Sequence, residues 1–198
     1  MNIIGPDLLV FGVDNPDDCR QFVSDYGLTA AGGNRFEALD GTGVMILSKY
    51  DPTLPPALHT GTSLRKTVYG VADKQTLDAI EAELSNDREV RKLDDGSLEA
   101  ADDLGFVLGF QVTVRKKLSL PAVKTNLPGS TDQRPINDVA VNTEAQPKPV
   151  SLSHVVYFVP DYTKGEAFYT ERLGFVTTDR FTNVGPFMRP AGTQDHHT

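Results

Sequence analysis

The sequence predicts an α+β fold built from repeated βαβββ modules, in which paired modules share one curved mixed sheet and the third module is incomplete. Three observations predict this fold. A strand, a helix and short extended segments follow one another in a fixed order, and that order begins again near Lys66 and near Ser153. The first and third copies also align at a constant offset of 147, which places Asp14 on Asp161.

The first copy starts with an apolar strand, Leu8 to Val13. Asp14-Asn15-Pro16 behind it is typical of a helix start, because proline suits the first helical turn. Gly27 ends this helix. Apolar residues recur within it at helical spacing, and these are Cys19, Phe22, Val23 and Tyr26. Two extended segments around a turn at Asp40-Gly41 complete the copy; they are Arg35 to Leu39 and Val44 to Leu47.

The second copy repeats this order. Thr67 to Val71 is predicted as its first strand, and Thr76 to Leu84 as an amphipathic helix. A hairpin turns at Asp94-Asp95-Gly96, and Phe106 to Val114 is the last strand. The two strands of the hairpin are Arg88 to Leu93 and Ser97 to Ala101.

The third copy begins with a predicted strand, His154 to Val159, and continues into a helix, Lys164 to Arg172, that Gly174 closes. From Val176 onward the chain is predicted to be extended. A lone third module leaves one face of its sheet uncovered, and the sequence stops where a last strand should start. We therefore expect a fragment of a longer chain. The alternative is a naturally short chain that fills the gap by dimerising.

The repeats divide the chain into three parts. Residues 1–117 are predicted to form a paired domain, residues 118–150 a proline-rich connector, and residues 151–198 the start of a second, catalytic-type domain. The connector has no visible period. We expect it to lie over the first domain, although a disordered linker fits its middle equally well.

Composition and charge exclude several functions. The formal net charge of −8 repels phosphate backbones, so nucleic acid is not an expected partner. Apolar runs are far shorter than the roughly 20 residues of a membrane span, so no membrane partner is expected either. The N-terminus resembles no secretory signal, and the single cysteine, Cys19, cannot form an intrachain disulfide. These features predict a cytoplasmic protein.

Three motifs in the third copy resemble a known family. Ser153 to Val159 resembles the opening strand of the catalytic half of the type I extradiol ring-cleavage dioxygenases. These enzymes belong to the vicinal oxygen chelate superfamily, which also contains glyoxalases and bleomycin-resistance proteins. Phe168 to Phe175 resembles the helix end common throughout that superfamily, and Asp195-His196-His197-Thr198 resembles the paired histidines of the dioxygenases.

The resemblance implies a dioxygenase that opens a catechol-like aromatic ring with O2. Such enzymes hold Fe(II), or sometimes Mn(II), with two histidines and one carboxylate, which leaves coordination positions open for substrate and O2. His154 would be the first metal ligand and His197 the acid/base catalyst, with the remaining ligands expected beyond residue 198. His196 would replace His197 if the register were one residue out. A homo-oligomer is compatible with this reading.

In the first two copies, the positions that correspond to the metal ligands of the family do not carry a metal-binding set. The repeat alignment places Asp7, Lys66 and Gly109 there, and neither an ammonium group nor a glycine is an iron ligand. The N-terminal domain is therefore predicted to be metal-free. His59, in a proline-rich connector, is predicted to be a solvated loop residue, and Cys19 to be a packing residue.

Two other functions remain open. The N-terminal half lacks metal ligands, which would suit a non-catalytic protein that binds a small molecule, like the antibiotic-binding members of the superfamily. A glyoxalase-type metal-dependent isomerase or lyase would share the fold without a redox step. Iron content separates the binding protein from the dioxygenase, and indifference to O2 would favour the isomerase.

Overall fold

A computed structural model describes residues 1–58, 63–122, 124–139 and 142–198. An eight-stranded sheet is built from two repeats, each a strand, a helix and three further strands. The first repeat comprises β1 (Ile3–Val13), α1 (Pro16–Asp25), β2 (Thr29–Gly32), β3 (Arg35–Glu37) and β4 (Gly43–Ser48). The second comprises β5 (Leu64–Val71), α2 (Lys74–Leu84), β6 (Arg91–Lys92), β7 (Leu98–Ala101) and β8 (Val107–Val112). The predicted α+β fold of βαβββ modules is confirmed.

The two repeats meet at the centre of the sheet, whose strand order is β2-β3-β4-β1-β5-β8-β7-β6. β1 and β5 pair antiparallel, so Leu8 lies opposite Val68 and Val10 opposite Lys66. Each central strand also has a parallel partner from its own repeat, β4 for β1 and β8 for β5. The pairing pattern is therefore the same in both repeats, which are related by an approximate two-fold axis between β1 and β5.

The main core lies between α2 and the face of the sheet that α2 covers. Leu77, Ile80 and Leu84 of α2 pack there against Leu108 and Phe110 of β8. Burial of each such side chain stabilises the fold by about 1.5–3 kcal/mol. A smaller apolar cluster lies on the opposite face, where it contains Leu8, Val10, Val68, Met45, Leu47 and Leu54.

α1 does not bury the apolar residues that its spacing suggests. Cys19 and Val23 are half-buried, whereas Phe22 is 68% exposed and Tyr26 65% exposed. Phe168, Tyr169 and Leu173 of the third part of the chain join the core that the inner face of α2 lines. No comparable layer packs against α1 among the described residues, and α1 has no buried residue. The aromatic side chains of α1 consequently stack on each other at the surface.

The third repeat comprises α3 (Tyr162–Ala167), a π-helical segment (Phe168–Arg172), β9 (Phe175–Phe181) and β10 (Gly185–Pro190). β9 and β10 form a separate antiparallel pair. The predicted strand from His154 to Val159 is not observed, since residues 151–159 make no strand pairing within the described parts of the chain. A strand requires a partner for its backbone groups, and the equivalent β1 has one on each side.

The constant offset of 147 is wrong at the helix start. Asn15 caps α1 and Asp161 caps α3, each accepting from a backbone amide three residues ahead, which gives an offset of 146. The closing glycines, Gly27 and Gly174, retain an offset of 147. The π-helical segment accounts for the difference, because a π-bulge adds one residue to a helix.

This correction changes which residues are equivalent to His154. Asp73 caps α2 as Asn15 caps α1 and Asp161 caps α3. When the three capping residues are aligned, His154 corresponds to Lys66 in the second repeat and to Leu8, not Asp7, in the first. Leu8 is an aliphatic residue in the small apolar cluster, and it has no metal-binding atom. Lys66 keeps the position that the sequence predicted for it.

The end of the connector is bound to the first repeat. The backbone amides of Leu39 and Asp40 donate to the carbonyls of Pro149 and Val150 at 3.0 and 3.1 Å. The Leu152 amide donates to Thr42 Oγ1 at 2.7 Å. These bonds fix the direction in which the chain enters the third repeat. Among the described helices, none is long and apolar enough to cross a membrane.

Candidate active site

Three imidazoles meet at the surface of the third repeat. The ring centroids of His154 and His197 are 4.9 Å apart, although the residues are far apart in sequence. His196 Nδ1 lies 3.0 Å from His197 Nδ1. The structure therefore places the two residues predicted as ligand and acid/base next to each other.

The segment that carries His154 is held by an arginine of the N-terminal part. Arg115 Nη2 donates to the carbonyls of Leu152 and Pro6 at 2.8 and 2.9 Å. Arg115 Nη1 donates to Ser151 Oγ at 3.1 Å. One guanidinium thus anchors the chain just ahead of His154 to the start of β1.

The paired histidines are held alongside β9 and β10. Thr178 Oγ1 donates to the His196 carbonyl at 2.6 Å, and the Thr198 amide donates to the Met188 carbonyl at 2.8 Å. His196 Nε2 is 4.0 Å from a carboxylate oxygen of Asp179. His196 therefore turns toward Asp179, while His197 turns toward His154.

An aromatic side chain forms a wall beside the imidazoles. The Phe187 ring lies 5.1 Å from that of His197 and 6.0 Å from that of His196, centroid to centroid. Phe181 supports it in an edge-to-face contact at 5.0 Å. Sequence reasoning missed Phe187 and Thr178, because their role depends on the pairing of β9 with β10 and no local motif marks it.

His154 is suited to bind a divalent metal, since imidazole nitrogen is a ligand that Fe(II) and Mn(II) both accept. Its Nδ1 lies 3.2 Å from Ser153 Oγ, so Nε2 is the ring nitrogen that could bind a metal. Within the described residues, no group of three or more His, Cys, Asp or Glu side chains could hold a metal ion. His154 therefore fits one position of a ligand set that the described residues do not complete.

The equivalent surface of the N-terminal sheet is occupied by its own side chains. Lys66 Nζ is 2.5 Å from Glu99 Oε1, and Arg91 binds the other carboxylate oxygen. Burial is the largest influence on Glu99 and raises its pKa, but the two cations together outweigh it and hold the pKa below its ordinary value. A lysine ammonium thus stands where a metal ion would need a ligand.

Asp7 is a structural residue. It is fully buried and accepts hydrogen bonds from Gln111, Thr113 and Val114. An added Cβ at Gly70 would lie 2.4 Å from its carboxylate, so the neighbouring strand leaves room only for glycine. Asp7 is therefore enclosed by protein and cannot reach a ligand.

Three tyrosines of the third and second repeats belong to the core. Tyr157 donates to Thr67 Oγ1 at 2.7 Å and lies 3.3 Å from the hydroxyl of Tyr69, while Tyr169 packs edge-on against Tyr69. Burial raises the pKa of Tyr69 to about 12, so its phenol is neutral at physiological pH. Phe158 differs, because its side chain is 77% exposed.

Two further residues singled out in the sequence lie away from this site. Cys19 is half-buried on α1 and is a free thiol. His59 falls outside the residues that the structure describes.

Comparison with known proteins gives a consistent fold. No family model and no curated protein matches the sequence. Among solved structures, the Mn(II)-bound glyoxalase from Novosphingobium aromaticivorans matches 99% of the chain at 17% identity and a TM-score of 0.65. The 2,3-dioxygenase LapB from Pseudomonas sp. KL28 matches 100% at 16% identity and 0.68. Homoprotocatechuate 2,3-dioxygenase from Arthrobacter globiformis matches 96% at 20% identity and 0.60.

The chain is shorter than these proteins. It spans 60% of the length of the glyoxalase, 69% of LapB and 56% of the homoprotocatechuate dioxygenase. At these identities the likeness establishes the architecture and not the reaction. The chain shares the fold of these glyoxalase and dioxygenase structures, which agrees with the resemblance seen in its sequence.

Proposed function

We propose that this chain is the N-terminal portion of an extradiol-type ring-cleavage dioxygenase that acts on a catechol-like aromatic compound with O2. The observation that carries the proposal is the meeting of His154 and His197 at 4.9 Å, beside the aromatic wall of Phe187. The fold shared with two 2,3-dioxygenases supports it. The paired repeats of the N-terminal sheet have a structural role in this proposal.

Each residue of the site has a separate task. His154 would hold Fe(II), or Mn(II), through Nε2, and the metal would supply the means of bringing substrate and O2 together. His197 takes a proton from a substrate hydroxyl and returns it later, a task for which histidine commonly serves as general acid and base. Phe187 packs against the substrate ring and excludes water from its edge.

The test requires the whole protein that contains this chain, because the described residues do not complete a metal-binding set. The protein is loaded with Fe(II) without air, and O2 uptake is measured with a panel of catechols. His154→Ala should abolish iron binding, whereas His197→Gln should retain iron and lose most of the O2 uptake. His196→Gln is the matched control and should retain both. Absence of uptake with every catechol contradicts the proposal.

A glyoxalase-type isomerase or lyase is the second candidate, since the Mn(II)-bound glyoxalase matches nearly the whole chain. It would use the same His154 position to hold a metal that polarises a substrate oxygen, without a redox step. Turnover of an α-oxo thiohemiacetal without O2, with Mn(II), Ni(II) or Zn(II) bound, would favour this candidate over the dioxygenase.

A further inference from the structure

A cavity of about 450 Å³ lies against the second repeat, and all the described residues that line it precede the connector. One wall is the loop from Pro52 to Pro56, and the opposite wall is the segment that carries Glu89 and Arg91. The floor is formed by the residues from Glu99 to Ala101 on β7 and by Val107 of β8. Its volume falls within the range of about 300–1,000 Å³ that is usual for small-molecule sites.

The loop wall is held in place by hydrogen bonds and packing. The Thr53 amide and hydroxyl both donate to Asp51 Oδ1, at 2.9 and 2.6 Å. Arg65 Nη1 donates to the Pro55 carbonyl at 3.1 Å, and Leu54 packs in the small apolar cluster of the sheet. Three of the five loop residues are prolines, whose fixed φ limits movement of the backbone. The wall is therefore formed before any ligand binds.

The floor of the cavity is apolar and has room above it. Ala101 and Val107 are partners across β7 and β8, so their side chains lie on one face of the sheet. Ala101 is exposed and Val107 is half-buried, although both belong to the sheet. These small and aliphatic groups, together with the proline-rich loop, provide an apolar surface for the body of a ligand.

Several charged groups around the cavity already have partners of opposite charge. Lys66 Nζ is 2.5 Å from Glu99 Oε1. Arg88 pairs with Asp87 at 2.8 Å and with Asp103 at 2.7 Å. These ion pairs belong to the fold, and we assign none of them to a ligand.

Glu89 and Arg91 are the charges best placed to contact a ligand. The Arg91 side chain is 64% exposed, and Glu99 engages its Nη2, which is one part of a guanidinium that carries five N–H donors. Glu89 is also exposed and lines the same cavity two residues earlier. In an extended chain, residues two apart lie on the same side. The cavity thus presents one cation and one carboxylate beside an apolar surface.

We propose that this cavity binds an α-amino acid with a large apolar side chain. Arg91 binds the carboxylate and Glu89 the ammonium group, while the side chain of the ligand packs against the loop prolines and Ala101. A zwitterion is favoured because it satisfies both charges at once. A simple acid would place its carboxylate near that of Glu89, and a simple amine would place its charge near that of Arg91.

Isothermal titration calorimetry of the 198-residue chain with L-phenylalanine tests the proposal. EDTA is present throughout, so that no metal at His154 contributes. We expect saturable binding with one site per chain. Phenylacetate and phenethylamine, which each lack one charge, should bind at least about 10-fold more weakly, since a hydrogen bond to a charged group contributes roughly that factor. Absence of saturable binding, or equal binding of all three compounds, overturns the proposal.

Variants locate the site. Arg91→Gln should weaken binding of L-phenylalanine by about 10-fold or more, whereas Lys92→Gln, at the next residue of β6, should bind as wild type does. Ala101→Leu should abolish binding because the larger side chain fills the cavity. Ala31→Leu, at an exposed alanine of β2, is its matched control and should retain binding.

The outcome is independent of the proposed ring cleavage. His154→Ala should bind L-phenylalanine as wild type does, because His154 does not line the cavity. Circular dichroism spectra of all variants should match that of wild type, which separates loss of the site from loss of the fold. Unchanged binding by a folded Ala101→Leu variant, or loss of binding in His154→Ala, would place the ligand elsewhere and contradict the assignment.

Discussion

Asp7 shows at the scale of one residue how distant parts of the chain depend on each other. Its carboxylate accepts from Gln111 Nε2, Thr113 Oγ1 and the Val114 amide at 3.1, 3.0 and 3.0 Å, and Arg115 Nε lies 3.4 Å away. Since Arg115 also holds the chain just ahead of His154, this buried carboxylate orients the residue that positions the candidate site.

We predict that Asp7→Ala lowers the free energy of unfolding by about 3–5 kcal/mol, because it leaves the buried donors of Gln111, Thr113 and Val114 without their acceptor and removes one of the two carboxylates beside Arg115. Urea denaturation measures this change. Asp17→Ala is the matched control: Asp17 pairs with Arg20 but its side chain is 92% exposed, so the loss should stay below about 1 kcal/mol. Equal losses in the two variants would contradict the assignment.

Glu99 gives a prediction about pH. Its pKa in the folded chain lies below the ordinary value of 4.5, because bonds from Lys66 and Arg91 outweigh the opposing effect of burial. A carboxylate with a lowered pKa stabilises the fold above its unfolded pKa, and this stabilisation is lost as pH falls through the folded pKa. Wild type should therefore have a higher free energy of unfolding than Glu99→Gln at neutral pH. This difference should become smaller as the pH falls below 4.5.

Urea denaturation at several pH values measures that advantage. Glu144→Gln, in the exposed connector, is the control and should differ from wild type equally little at every pH. A difference between wild type and Glu99→Gln that stays constant across the acid range would show that the ion pair does not stabilise the sheet.

At the scale of elements, two glycines differ in the space around them. β3 and β4 approach so closely that an added Cβ at Gly43 would lie 1.9 Å from the Phe36 carbonyl oxygen. Gly165 lies in α3, where the nearest atom would be 3.3 Å away at the flexible end of Leu104. Neither glycine has a positive φ, so the available space alone should decide the effect of an added methyl group.

We predict opposite effects of alanine at these positions. Gly43→Ala should destabilise the fold by about 1–3 kcal/mol or more, since the strands must separate to admit the methyl group. Gly165→Ala should stabilise it by up to about 1 kcal/mol, because alanine loses less backbone entropy in a helix. Thermal unfolding measures both, and a destabilised Gly165→Ala would mean that Leu104 cannot move aside.

At the scale of the molecule, the third repeat shares the core of the second. Phe168, Tyr169 and Leu173 lie in the same buried cluster as α2. Arg172 adds polar contacts, with Nε 2.5 Å from Glu83 Oε1 and Nη1 2.9 Å from Asp87 Oδ2. The connector is exposed over its described part from residue 119 to residue 148.

This arrangement predicts the outcome of limited proteolysis. Trypsin should cleave first after Lys124, which is exposed in the connector and is not followed by proline, and the two fragments should still elute together from a sizing column. The shared core should hold them, because its apolar surface remains buried after cleavage. Separation of the fragments under native conditions would contradict the shared core, and cleavage within the sheet would contradict its compactness.

The sequence by itself determined the order of the elements, because strand alternation, helix caps and closing glycines are local signals. It also brought His154 and His197 into one hypothesis through a family resemblance. The sequence did not reveal the extra residue of the π-helical segment. Between the first and third repeats the closing glycines are offset by 147 residues, whereas the helix caps are offset by 146. That single residue moved the equivalent of His154 from Asp7 to Leu8.

Only the tertiary structure decided which apolar faces are buried and which polar residues meet. Phe22 and Val23 both fit the helical pattern of α1, but burial depends on which layers lie around the helix. Phe187 and Thr178 join the candidate site because β9 and β10 pair, and Lys66 meets Glu99 because β7 and β8 fold back beside β5. Periodicity describes one element at a time, whereas such contacts depend on how several elements pack together.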